Sequence, residues 1–432
     1  MKRNEVKMDM ERSVMRRVIW RLVPLMMVCY FAAYLDRVNV SFAALQMNNA
    51  LGIGAAAYGF GAGLFFVSYV LCEIPSNLVL HRIGARRWIA RIMLTWGLCA
   101  AAMAFIVGPK SFYLVRLLLG AAEAGFQPGM LFFMTLWFPA AYRARIVGYF
   151  MAAVPISGVI GAPLSGLLLS LDGFGLMGWQ WLYIIEALPA ILLSGVVYFC
   201  LTDTPDEAKW LTPDERNWLS ERIRSEQPRI TSEKYSTVGK TLTSPIILCL
   251  AAVFFANVSM NNANVFFLPQ IVKAYGLSNV QTGFVSAVPS FVGLVAIIWW
   301  SRHSDRTGER AWHAALAMMA GAAGLIIAAT TNQPIISVAA LALAMAGTFS
   351  FTAPFWALVG SFLTGKQAAG GIAAISAMGA AGGFFAPIIM GYLKQVTGGY
   401  GAGQITIACL ALVAALALLA LKRWHSDLAM AR

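Results

Sequence analysis

Asp36 and Arg37 are neighbours in one hydrophobic segment, and Arg116 and Glu123 stand seven apart in another. A guanidinium keeps its charge at any physiological pH and grips a carboxylate with a two-pronged fork. An Asp or Glu surrenders its charge to a proton when it is desolvated. An ionised group at bilayer depth costs roughly 3 kcal/mol or more, so such groups mark functional positions by default. Together the four side chains specify an anion site with a proton site beside it. Arg37 is positioned to hold a carboxylate, Asp36 and Glu123 to take and release protons, and Arg116 to pair with Asp36 and tune it. The competing reading is a buried charge network that only fixes helix packing. On a helix, Arg116 and Glu123 share one face two turns apart, Tyr34 and Arg37 share another, and Asp36 points about a quarter-turn away from Arg37.

The elements that must carry these groups follow from composition. Of 432 residues, 59% are hydrophobic and 12% charged, and the mean hydropathy is +0.70. A soluble domain carries about twice that charge. Apolar stretches long enough to cross a bilayer recur at 18–44, 57–80, 88–107, 112–137, 144–170, 179–201, 243–272, 279–301, 311–330, 334–363, 367–393 and 400–421. The expected fold class is an all-α polytopic membrane protein of twelve transmembrane helices.

The net charge of +13 raises the question of nucleic acid, and its distribution answers it. The N-terminal tail, the loops at 81–91, 138–145 and 302–310, the 202–242 segment, Lys366 and the C-terminal tail hold 26 Lys and Arg, against Lys110, Lys273 and Lys394 in the alternate loops. This is the positive-inside bias of a multi-pass membrane protein, with both termini in the cytoplasm and a lipid bilayer, not nucleic acid, as its surroundings. All six cysteines fall inside spans without metal-ligand spacing and read as small apolar fillers, so no metal or cofactor is expected. The first apolar run is a full span rather than a signal peptide.

The 202–242 segment is the one long polar stretch. Its Thr212-Pro213-Asp214-Glu215 predicts a short cytosolic helix, with an N-cap, a proline in the first turn and a Glu three residues after the cap. It divides the chain into a first six-helix bundle (1–201), a linker (202–242) and a second bundle (243–432). The bundles repeat at an offset of 224: Gly59-Phe60 matches Gly283-Phe284, Arg82-x-Gly84-x-Arg86-x-Trp88 matches Arg306-x-Gly308-x-Arg310-x-Trp312, and Ala162-Pro163 matches Ala386-Pro387. Parallel six-helix repeats with a site between them imply alternating access by rocking.

On these motifs the chain resembles the major facilitator superfamily over nearly its whole length. Ser304-Asp305-Arg306-Thr307-Gly308-Glu309-Arg310 is similar to that superfamily's cytoplasmic gate motif. The first copy departs from it, with His81 where an Asp usually stands. Tyr34-Leu35-Asp36-Arg37-Val38-Asn39 and Gly120-Ala121-Ala122-Glu123-Ala124-Gly125-Phe126-Gln127-Pro128-Gly129 resemble the anion:cation symporter family, in particular the bacterial branch of tartrate, phthalate and 4-hydroxyphenylacetate permeases. The resemblance implies two pseudo-symmetric bundles in a bacterial inner membrane, proton-coupled uptake of an organic anion, a monomer, and no enzymatic activity. It also implies Arg37, Tyr34 and Tyr69 around the anion, Asp36, Glu123 and Arg116 in coupling, and a gate built from Arg82, Arg86, Arg143, Asp305, Arg306 and Arg310. A proton-driven exporter is the alternative, favoured by Gly158, Gly161, Pro163 and Gly166 in the fifth span, and a membrane sensor is a remote one.

Other polar groups in the spans complete the expectations. Glu73 reads as a gate partner for Arg82 or Arg143, or as a further proton carrier, and Glu186 as the acceptor of a structural bond. The second half offers amides in place of charges: Asn257, Asn261 and Asn264 form a stripe on the seventh span, with Asn262 beside it. Such amides line a site or join helices. Phe266, Phe267 and Trp356 are candidates to wall an aromatic or sugar-like body. Ser376 and Ala380 stand where the resembled family carries two Asn in the eleventh span, a departure that shifts recognition of the substrate's polar body toward the seventh span; Asn261, Asn264, Trp356 and Ser376 are the expected substrate contacts.

Overall fold

The computed structural model describes residues 2–226, 244–362 and 366–430. Residues 227–243 of the expected linker, with Arg229, Lys234 and Lys240, lie outside the described residues, as does Arg432. Among the described residues, twelve helices are long and apolar enough to cross a membrane: Met10–Ala50, Ala55–Ile83, Ala85–Phe105, Pro109–Trp137, Ala140–Leu168, Gly178–Cys200, Pro245–Lys273, Asn279–Thr307, Ala311–Thr330, Pro334–Phe362, Gly371–Thr397 and Gly401–Arg423. They are called the first to twelfth spans below. Five of them are unbroken helices of 29 residues. At 1.5 Å per residue that is about 43 Å, more than the ~30 Å hydrocarbon core, so their polar ends extend into the interfaces.

Local chemistry ends the helices where the sequence turns. Gly84 (φ 96°) and Gly308 (φ 68°) close the second and eighth spans. Both adopt positive φ, which glycine reaches without a Cβ clash, and both occupy the repeated Arg-x-Gly-x-Arg motif. Ser278 caps the eighth span, its hydroxyl accepting the Gln281 N–H at 3.2 Å while the Gln281 side-chain Oε1 accepts the Ser278 N–H at 2.9 Å. Thr212 and Glu215 form the same reciprocal cap on the helix Pro213–Glu226 that follows the sixth span, at 3.3 and 3.0 Å. One boundary differs from the sequence expectation. The fourth span is not continuous: helix Pro109–Glu123 stops, Gly125 takes φ 88°, and a second helix runs Phe126–Trp137.

The repeated residues meet one another across the midline. A Cβ on Gly59 of the second span would overlap the Pro387 carbonyl of the eleventh. A Cβ on Gly283 of the eighth would come within 2.6 Å of the Ala162 carbonyl oxygen of the fifth. Positions 59 and 283 are duplicates, as are 163 and 387, so one ancestral contact now serves as two seams. Two hydrogen bonds reinforce the joint: the Tyr58 hydroxyl donates to the Phe266 carbonyl (3.0 Å), and the Ala56 N–H to the Gln395 side chain (3.0 Å).

All of these contacts lie at the end opposite the basic loops. The buried core repeats the asymmetry. One cluster joins the second half to that end of the first half, including Met47, Tyr58, Phe112 and Trp179. A separate cluster, from Val14 to Ile223, fills the basic end of the first half alone. The two halves therefore share a core at one end only, and the cleft between them opens toward the basic loops.

Overlap of this kind costs on the order of 1–3 kcal/mol in a packed interior, so Gly283→Val is expected to shift the population away from this state by roughly 5- to 150-fold. Ser290 packs on Gly158 across the same seam. A Ser290→Cys reporter, with the six native cysteines replaced, is expected to react faster with a membrane-impermeant thiol reagent when Gly283→Val is added.

Candidate functional site

The first span supplies the centre of the site. Tyr30, Tyr34 and Arg37 recur at helical spacing; Tyr30 stacks on Phe150 of the fifth span at 4.1 Å, and Arg37 faces the second span. The Arg37 guanidinium lies over the rings of Tyr34 (5.0 Å), Phe65 (5.1 Å) and Tyr69 (5.5 Å). Ring faces carry negative charge density, so each attracts the cation where water is scarce. The guanidinium also hydrogen-bonds the Glu123 carboxylate in an ion pair. Glu123 is 2% exposed and Arg37 16%, so the cation keeps a path to the cleft that its partner lacks. Glu123 is the last residue of its helical segment, and the break at Gly125 follows at once. A Cβ on Gly125 would overlap the Ser76 hydroxyl, so the turn is possible only with glycine here.

Asp36 and Arg116 do not pair, contrary to the sequence expectation. Asp36 is buried facing the third span, where it accepts the Trp96 indole N–H at 2.8 Å and a longer contact of 3.5 Å from the Asn39 amide. Arg116 is fully buried and faces the second span. It donates to the carbonyls of Ala62 (3.0 Å) and Gly61 (3.4 Å) and lies over Phe65 (5.0 Å). Its Nη1 finds no hydrogen-bond partner among the described residues. The cause is close helix approach: a Cβ on Gly120 would overlap the Phe65 carbonyl, which brings the fourth span near enough for Arg116 to reach second-span backbone. A carbonyl already used in a helix keeps a second lone pair for such a donor. Phe65 is thus shared by two guanidinium groups.

Glu186 accepts the Ser165 hydroxyl at 2.7 Å, and its second oxygen has no partner among the described residues. Glu73 is half-buried and makes no ion pair among the described residues. Arg143, one of its expected partners, donates instead to the carbonyls of Phe138 (2.7 Å) and Thr135 (3.4 Å), and Arg82, the other, is exposed. The expected Glu73 gate pair is therefore not formed in this state.

In the second half, Asn257 and Asn264 are buried, and the Asn257 Oδ1 and Asn264 Nδ2 find no partner among the described residues. Asn262 is used locally, donating to the Val258 carbonyl at 2.8 Å, and Asn261 is half-buried. Trp356 is half-buried, edge-on to Phe254 at 5.1 Å. Phe266 and Phe267 do not wall a cargo site. Both are fully buried, Phe267 against Tyr58 (5.5 Å) and Phe266 against Phe66 (6.3 Å), as part of the closed joint. Ser376 is exposed on the eleventh span.

At the basic end the two gate copies differ. In the second, Arg310 pairs with Asp305 at 2.6 Å and donates to Ser304 at 3.0 Å, while Arg306 is exposed. Beside them Glu309 accepts Lys422 Nζ (2.6 Å) and the Trp312 N–H (2.8 Å). Partial burial would raise the Glu309 carboxyl, but bonds from Lys422, His313 and Trp312 outweigh it and hold the group below its ordinary value. In the first copy His81 packs on the Phe132 ring at 4.1 Å. Asp203, from beyond the sixth span, accepts the Arg86 N–H at 2.7 Å and supplies the acid at that helix start.

Tyr30, Phe65, Trp96 and Asp203 escaped the sequence reading. Tyr30 was within reach of it, four and seven residues before Tyr34 and Arg37. The others come from different helices, and no spacing within the chain announces them.

The geometry has clear counterparts. The Major Facilitator Superfamily profile matches residues 26–387. The chain belongs to the Major Facilitator Superfamily. A protein of Agrobacterium vitis named "Putative tartrate transporter" is 45% identical over 416 residues, 96% of this chain and 92% of the relative. The "Quinolone resistance transporter" of Acinetobacter baumannii is 42% identical, covering 92% of each chain. Among solved structures, a bacterial homologue of the human lysosomal transporter Spinster, in an inward-facing and unoccupied conformation, superposes with a TM-score of 0.75 at 14% identity, over 93% of this chain and 96% of that one. The protein is thus a multi-pass transporter of this superfamily and not an enzyme.

Trp96 gives Asp36 its one short bond, so Trp96→Phe is expected to cost about 1–3 kcal/mol by stranding a buried acid. Thermal unfolding across pH checks this: the loss should be largest at high pH, where Asp36 is hardest to keep neutral, and should shrink in Trp96→Phe/Asp36→Asn.

Proposed function

We propose that the protein is a proton-coupled importer of a small organic carboxylate, a hydroxy-acid such as tartrate, a sugar acid or an aromatic acid. The observation that carries this reading is the Arg37–Glu123 pair. One guanidinium fork sits at bilayer depth, open to the cleft on one side and held by an internal carboxylate on the other. A substrate carboxylate competes with Glu123 for that fork. A proton on Glu123 removes its charge and frees Arg37 for the substrate. Loss of the proton restores the internal pair and expels the anion.

In the proposed cycle the outward site is protonated first and then takes up the anion. The seams between the second and eleventh and the fifth and eighth spans close behind it. The cleft then opens to the basic end, the cytoplasm, where the proton and the anion leave. Asp36, bonded to Trp96, is the second proton carrier, and Arg116 adds a fixed positive field near Glu123. The buried amides of Asn257 and Asn264, with Asn261, contact the polar body of the substrate. Both termini are cytoplasmic, the membrane is a bacterial inner membrane, and the working unit is a monomer. The relatives named for tartrate support the substrate class. The relative named for quinolone resistance keeps proton-driven export as the second reading. The glycines of the fifth span do not add to that reading, since Gly158 packs on Ser290 and Gly166 on Gly283.

In proteoliposomes, Glu123→Gln and Asp36→Asn are expected to exchange substrate by counterflow yet fail to accumulate it under an inward proton gradient. Accumulation by both variants would remove the coupling role, and uptake driven only by an outward gradient would select export. Arg37→Lys is expected to bind substrate roughly 10- to 100-fold more weakly in calorimetry, because an ammonium cannot reproduce the bidentate grip.

The amide stripe has its own test. Alanine at Asn257, Asn261 or Asn264 is expected to reorder competing acids by roughly 5- to 30-fold, the worth of one or two hydrogen bonds, while proton dependence stays intact. An unchanged order in all three would make the stripe packing alone.

A further inference from the structure

A second polar pocket lies away from the central site, at the start of the first span. Ser13, Arg16, Arg17, Trp20 and Arg21 share one face of that helix, and Trp210, from the segment after the sixth span, closes the other side. The pocket has a volume of about 530 Å³. We propose that it seats the phosphodiester headgroup of an anionic phospholipid.

The charge in the pocket is only partly neutralised by the protein. Arg17 pairs with Glu215 of the helix Pro213–Glu226 at 2.8 Å. Arg21 lies over the Trp210 ring at 5.0 Å, a contact that orients the guanidinium without cancelling its charge. Arg16 makes no ion pair among the described residues. The Trp210 indole N–H is buried and has no acceptor among the described residues, although a buried indole N–H ordinarily finds one. Two cations that make no ion pair among the described residues therefore line one space, and an oxyanion answers both.

Position favours a lipid over a soluble anion. Directly after Arg21 the chain runs from Leu22 to Leu35 without a charge, so the pocket stands where headgroups meet hydrocarbon. Trp20 is 72% exposed on its rim, the placement that indoles favour at a membrane interface. Basic pockets beside transmembrane helices at this level recognise acidic headgroups. The indole walls would meet the glycerol and upper acyl carbons of a lipid, which free phosphate lacks. The seated lipid would also tie the segment after the sixth span to the first helix, next to the Arg17–Glu215 bridge.

Native mass spectrometry of the purified full chain, titrated with phosphatidylglycerol and with phosphatidylcholine, tests this. The expected result is preferential retention of phosphatidylglycerol, weakened roughly 30-fold in Arg16→Gln/Arg21→Gln and largely restored in Arg16→Lys/Arg21→Lys. Ser13→Asp, which sets a negative charge on the same face and leaves the arginines in place, should give a similar loss and guards against a folding defect in the double variant. Equal retention of the two lipids, or undiminished phosphatidylglycerol binding in both Arg16→Gln/Arg21→Gln and Ser13→Asp, would overturn the proposal. Displacement of the lipid by glycerol phosphate at matching concentration would assign the site to a soluble anion and overturn it as well.

Discussion

The structure depends on keeping one ionised pair, Arg37 with Glu123, inside a medium that penalises charge. Neither group is tolerable alone at that depth, and each is supplied by a different helix. Around them the chain has assembled what the penalty demands. Tyr34, Phe65 and Tyr69 turn their ring faces to the guanidinium, and the helix break at Gly125 fixes where Glu123 ends. The second cation, Arg116, is met by backbone oxygen instead of an acid, which is possible because Gly120 lets two helices approach within backbone contact. A guanidinium bound only to carbonyls keeps its full charge. Glu123 is therefore flanked by one mobile competitor for its charge, through Arg37, and one constant field, from Arg116.

The two halves divide the work along chemical lines. The ionised groups of the central site come from the first half, and the second offers amides, hydroxyls and aromatic rings. On the proposed mechanism that separates coupling from selectivity: protons act on groups whose charge changes, and substrate identity is read by groups whose charge cannot. The joint between the halves obeys a different constraint. Gly59 on Pro387 and Gly283 on Ala162-Pro163 allow backbone to touch backbone, and Tyr58, Gln395 and Phe267 fill in around those contacts. Such a joint can part and re-form as a unit, which suits rigid halves rocking about a fixed site.

Much of this was legible in the sequence where one helix or one repeat contained the whole signal. Hydropathy located the twelve spans because each must bury its own backbone. The 224-residue offset marked Gly59, Pro163, Gly283 and Pro387 before their contact was visible, since duplication preserves paired surfaces. The Thr212–Glu215 cap was legible because its partners are three residues apart. What failed was assignment of partners across helices. Arg116 was matched to Asp36 by charge alone, whereas the fold gives Asp36 an indole and Arg116 two carbonyls. Phe266 and Phe267 are candidates for a cargo wall on sequence alone, and the closed joint buries them against Phe66 and Tyr58. The break after Glu123 was hidden because Gly125 and Pro128 sit in a run apolar enough to pass for one continuous helix.

The central claim is that substrate and Glu123 cannot both hold Arg37 while Glu123 is ionised. Proton exchange on binding tests it without any gradient or membrane. Purified protein in weak buffer near neutral pH, mixed with a saturating carboxylate such as tartrate, is expected to take up about one proton per bound anion, seen with a pH-indicator dye, as Glu123 is displaced and neutralised. Glu123→Gln should bind the same anion with little or no uptake. Anion binding to the unmodified protein with no proton taken up, or equal uptake in Glu123→Gln, would contradict the account.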